Sequence, residues 1–161
     1  MNWRMSRVVR TVADVMVVPI VIYGVYLILH GHLTPGGGFQ GGAVVASSVA
    51  LLIVAYGVMD RHKGTLSAME STGLTMFILI AFMGLGSTMF YNFLAGEGGL
   101  FGGSVPDGIN AGYINTGGTV TLMNLMVGIE VIAALSLILY TMAMHSGSLD
   151  EMKKDIQEVE E

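Results

Sequence analysis

His30–Gly42 reads HGHLTPGGGFQGG and lies between two apolar runs. It holds six of the chain's 23 glycines, five of them after Thr34-Pro35. A glycine cluster lets a backbone turn tightly and lets another chain approach closely. Gly38, Gly42, Ala46 and Ala50 are spaced four apart, so the cluster continues as a stripe of small residues down the following helix. That is the small-xxx-small pattern by which helices pack in lipid. Pro35, Gly36, Gly37, Gly38, Phe39, Gln40, Gly41 and Gly42 are therefore expected to form a structural turn and a helix-packing surface.

The composition around this stretch is that of a membrane protein. Of 161 residues 53% are hydrophobic and 12% charged, and the mean hydropathy is +0.69. A soluble domain carries about 25% charged residues. Four apolar segments, roughly 12–30, 40–59, 72–94 and 121–144, are each long enough to cross a ~30 Å hydrocarbon core as a helix. The fold class expected is all-α integral membrane, with four transmembrane helices. Residues 1–11, with Trp3 and three arginines, suit an N-terminal interfacial segment. Residues 12–144 form the membrane domain, and 145–161 an acidic amphipathic tail whose Ser148 and Glu151 resemble a helix-starting capping box. No A-x-A site follows the first apolar segment, so that helix is expected to stay in the mature chain.

Charge sets the orientation. The seven basic residues, Arg4, Arg7, Arg10, Arg61, Lys63, Lys153 and Lys154, all fall at the N-terminus, in the second connection or in the tail. With four spans these share one side, which the positive-inside rule makes the cytoplasm for both termini. The other side then carries the His30–Gly42 turn and a long segment, 95–120, with nine glycines and a Pro106-Asp107-Gly108 turn signal.

Glu130 is the most costly residue to insert. An acid near mid-membrane costs about 2.5–3.5 kcal/mol on insertion scales, so it faces protein or water and marks an ion or proton route. The bland alternative is a protonated Glu130 making one interhelical hydrogen bond. Asp14, five residues before Pro19, either binds a cation or passes a proton beside backbone oxygens freed by the proline, or simply pairs with Arg10 one turn earlier. His30 and His32 are two apart and diverge on a helix, so no metal site is expected there. Asn124 needs a partner across helices. The chain has no cysteine, which excludes disulfides and thiolate-held clusters. No P-loop lysine and no nucleophile–base arrangement is present, so no independent catalysis is expected.

The nine residues 34–42, TPGGGFQGG, preceded by Gly31-His32 and followed by AVVASSVALLIVAYG, resemble the MnhB family, one of the small membrane subunits of Mrp-type multisubunit sodium/proton antiporters. Related modules occur in membrane-bound hydrogenase and sulfur-reductase complexes. The resemblance, over roughly residues 10–145, implies a small multi-pass subunit in a prokaryotic inner membrane, without a cofactor of its own. Its implied partners are other Mrp-type subunits or hydrogenase-like subunits, lipid, Na+ and H+, and no nucleic acid. The last span departs from the family pattern. Thr116-Gly-Gly-Thr-Val-Thr121 replaces a Thr-Pro opening, and Met126 stands where an acid is expected, with Glu130 one turn later on the same face. The ion-path residues expected from the reading of the residues themselves are Glu130 and, second to it, Asp14. A subunit of a redox complex and a purely scaffolding subunit are the rival readings.

Overall fold

A computed structural model of the chain describes residues 5–33, 35–57, 63–86, 88–94 and 117–160, the stretch 146–160 by its backbone alone. Trp3, Arg4, Thr34, Arg61 and most of 95–120, including Pro106-Asp107-Gly108, lie outside the described residues. The described elements are four helices: α1 (Arg7–Leu29), α2 (Gly37–Tyr56), α3 (Lys63–Met83) and α4 (Thr119–Glu160). All four are long and apolar enough to cross a membrane, α4 over Thr119–His145.

Three boundaries differ from the sequence-based expectation. α1 begins at Arg7 behind a Ser6 cap, whose side chain accepts from the Val9 N–H. Arg7 and Arg10 therefore belong to the first turns of the span itself. α4 runs without a break through Ser148 and Glu151 to Glu160, so the tail continues the last span and its capping box starts no helix. The third helix lies about two and a half to three turns earlier than the apolar run suggests. Beyond its end the chain folds back in turns, with the Phe90 N–H donating to the Ala81 carbonyl. This shift brings Glu70 inside the span.

The helices stand in the spatial order α1, α2, α4, α3, with α1 also touching α4. α2 is the most buried of the four and α3, which packs chiefly on α4, the least. The glycines of α2 explain why it can sit between two neighbours. On one face, a methyl group at Gly41 would meet the Gly24 carbonyl oxygen at 2.6 Å and the Ile28 nitrogen at 2.8 Å. On the other, a methyl at Gly42 would meet Val131 Cβ at 2.9 Å and the Gly128 carbonyl at 3.0 Å. Gly38, Gly42 and Ala46 of the expected stripe are all buried, and the two glycines abut α4. The second face, Gly41 against Gly24, is an addition to that stripe.

The turn before α2 needs its glycines for a different reason. Gly36 and Gly37 have φ of 129° and 50°, left-handed values that favour glycine. Gly36 offers no capping side chain, and the gap is filled from across the bundle: Asn124 Oδ1 accepts the Gly38 N–H at 3.2 Å. A helix start leaves several N–H groups without intrahelical partners, so this bond anchors α2 to α4. Gly31 and Gly37 crowd the same amide. Asn124 thus bonds across helices as expected. Asn92 does the equivalent for α4, accepting from the Thr119 N–H at 2.7 Å and from its hydroxyl, and donating to the Gly117 carbonyl at 3.1 Å. Replacing Asn92 by Ala should cost about 1–2 kcal/mol, the scale of a lost helix cap. It would be read as a lower thermal midpoint of the purified complex; an unchanged midpoint would count against the cap.

Candidate ion path and the acids around it

Glu130 lies about 16 Å along the axis from Thr119, at ~1.5 Å per residue, so it is well inside the span. It is partly buried and sits at a close approach of α3 and α4. A methyl group on Gly73 would meet Glu130 Cβ, the Glu130 nitrogen and the Met126 carbonyl, each at 3.0 Å. The lack of a side chain on Gly73 is what admits the Glu130 segment against α3. Among the described residues the Glu130 carboxyl has no hydrogen-bond or ion-pair partner.

Glu70 escapes sequence reasoning because the apolar run begins after it. It is partly buried, and it precedes Gly73 by one turn on the face of α3 that also carries Phe77 and Ala81. At helical spacing, residues three and four apart share a face. The α3–α4 seam therefore bears an acid on each helix, Glu70 one turn from Gly73 and Glu130 against it. The available signal was Gly73 itself, four-spaced with Phe77 and three after Glu70, a small residue with an acid on its own face.

Asp14 belongs to a different seam. Its Oδ2 accepts the Tyr56 hydroxyl at 2.6 Å, tying the start of α1 to the end of α2. Among the described residues no ion pair joins Asp14 to Arg10, so Tyr56 and not Arg10 is its partner. The Arg10 guanidinium lies instead 6.0 Å from the Tyr56 ring centroid. α1 continues through Pro19 as one helix. α1 meets α4 at Ile28 and Gly128, toward the other end of α1 from Asp14, so Asp14 and Glu130 are not brought together.

Of the remaining motif residues the glycines of α2 pack, whereas Pro35, Phe39 and Gln40 are exposed. Gly37, Gly38, Gly41 and Gly42 are buried; Phe39 is 62% exposed and directed away from the bundle. His30 stacks on Tyr26 at 4.1 Å between ring centroids. Among the described residues no group of three or more His, Cys, Asp or Glu could hold a metal ion.

The likeness to known proteins follows this layout. A family model described as a domain related to the MnhB subunit of Na+/H+ antiporters matches residues 8–137. The chain belongs to the MnhB family. This MnhB chain is 29% identical over 161 residues to an uncharacterised protein of Methanocaldococcus jannaschii, covering 96% of the chain and 59% of that protein. A shorter match, 41% identical over 49 residues, joins 30% of it to 34% of a Na+/H+ antiporter subunit of Bacillus subtilis. Among solved structures it resembles a chain of the membrane-bound sulfane sulfur reductase, an archaeal respiratory membrane complex. There the TM-score is 0.72 at 29% identity, over 86% of this chain and 58% of that one. The chain thus spans less than two thirds of the length of these relatives. With its four apolar helices, the MnhB chain is a multi-pass membrane protein.

Proposed function

We propose that this chain is a non-catalytic subunit of an Mrp-type sodium/proton antiporter complex, and that it contributes Glu130 to an ion path at an interface with a neighbouring subunit. It would lie in a prokaryotic cell membrane with both termini in the cytoplasm, as the placement of its basic residues favours. The observation that carries the reading is Glu130 itself: an acid deep in a span, held on the α3–α4 seam by Gly73. Intramembrane acids of this kind mark ion pathways and proton relays. Glu70 supplies a second titratable group along the same seam. Because α3 packs chiefly on α4, Leu74, Ile78 and Phe82 of α3 are exposed among the described residues and available to a neighbouring subunit. Asp14 lies on a different seam, bonded to Tyr56, and is second to Glu130 as a candidate for the path.

The test is sodium-driven proton movement in everted vesicles from cells that make the complex with or without this chain. Exchange should fall to background without it. Full-rate exchange by a complex that lacks the chain would reject the reading.

A second reading is favoured by one observation, the likeness to a chain of an archaeal respiratory complex. In that case the same ion-translocating subunit serves a redox enzyme. Iron–sulfur proteins co-purifying with the chain would favour this, and purely hydrophobic partners the antiporter.

A further inference from the structure

Arg7, Arg10, Thr11, Asp14 and Tyr56 line one open cavity of about 290 Å³ at the end of the bundle where α1 begins. Its volume is at the small end for ligand cavities, which start at about 300 Å³. Two guanidinium groups face it from successive turns of α1. Every other polar side chain in the lining is already engaged. The Thr11 hydroxyl donates to the Arg7 carbonyl at 3.0 Å, and the Tyr56 hydroxyl donates to Asp14 Oδ2 at 2.6 Å. Among the described residues the arginines have no such partner, Arg10 lying only over the face of the Tyr56 ring. Arg10 Nε is buried with no hydrogen-bond partner, and among the described residues no carboxylate pairs with Arg7 or Arg10.

A buried donor without a partner costs free energy, more so on a charged group. By holding Asp14 away, Tyr56 keeps Arg10 available for an anion from outside the chain. The depth of the cavity says which anion. α1 starts at Arg7 and its 23 residues, at ~1.5 Å each, slightly exceed the ~30 Å hydrocarbon core, so its first turns lie at headgroup level. Tyr56 closes α2 at the same level, where tyrosines are enriched.

We propose that this cavity binds the phosphate of an anionic phospholipid headgroup, in the leaflet at which α1 begins, through the guanidinium groups of Arg7 and Arg10. Arginine suits the role, since its planar fork presents donors to two phosphate oxygens at once. The inference is independent of the ion path, because the cavity and Glu130 are on different seams.

The purified, delipidated complex tests it by native mass spectrometry, titrated with phosphatidylglycerol, with phosphatidylcholine, or with inorganic phosphate. Wild type should retain one phosphatidylglycerol more tightly than Arg10→Gln, by about tenfold, the scale of one lost hydrogen bond to a charged group. Tyr56→Phe should weaken retention in the same direction although it removes no positive charge, because the released Asp14 turns to Arg10. Arg10→Lys, which keeps the charge but not the fork, should fall between. Phosphatidylcholine should show no difference among the variants. Equal retention of phosphatidylglycerol by wild type and Arg10→Gln would overturn the proposal. So would Tyr56→Phe binding as wild type does, which would reduce the effect to bulk charge. Displacement of the lipid by inorganic phosphate would make the ligand free phosphate, and a cross-link from this cavity to an acidic residue of a neighbouring subunit would make it protein; either outcome also overturns it.

Discussion

Gly41→Leu and Gly42→Leu are expected to remove the chain from its complex, whereas Gly64→Leu leaves it in place. The three are the same residue in different surroundings. At Gly41 the atoms that a side chain would strike are the Gly24 carbonyl oxygen and the Ile28 nitrogen, backbone groups of α1 that cannot rotate away. At Gly42 they are Val131 Cβ and the Gly128 carbonyl of α4. A leucine at either position must push a whole helix outward, and overpacking costs typically about 1–3 kcal/mol and occasionally more. Here the loss is compounded, since α2 is the main element through which α1 reaches the rest of the bundle, and in lipid close packing is the main attraction holding it there. A methyl at Gly64 would meet nothing within 4 Å. The measurement is the amount of chain retained in the affinity-purified complex relative to its other subunits. Retention of Gly41→Leu at the level of Gly64→Leu would show that the close approach of α1 and α2 does not hold the chain in place.

Much of this packing is legible in the sequence because small residues at a spacing of four have a well-defined structural use in a membrane helix. The Gly38–Gly42–Ala46 face follows from spacing, and the cross-helix role of Asn124 from the cost of a lone amide in lipid. Gly41 is harder, because its meaning depends on Gly24, a single glycine in another helix with no pattern around it. The third span is displaced from its apolar run for a physical reason. Hydropathy treats Glu70 as a boundary, but a carboxyl on a helix face that packs against a neighbour can lie inside a span. That boundary hides the second acid on the α3–α4 seam. Asp14 is legible as a polar residue in need of a partner, yet sequence proximity points to Arg10, one turn away. The partner, Tyr56, is brought near only when α2 returns antiparallel to α1.

Glu130→Gln is expected to abolish ion coupling while leaving assembly intact, the second large effect. Glutamine keeps the size of the side chain and its fit against Gly73, so the α3–α4 contact should survive. What it removes is the ability to take up and release a proton or to balance a cation. Loss of a positioned proton-transfer group costs roughly a hundredfold or more in rate. Glu130→Asp, which keeps the acid on a shorter stem, should retain part of the rate. The decisive measurement is therefore sodium-driven proton exchange by the Glu130→Gln complex reconstituted in vesicles, after its subunit composition has been verified. A rate reduced about a hundredfold in an intact complex is the predicted result; wild-type exchange from that same intact complex would contradict the placement of Glu130 on the ion path.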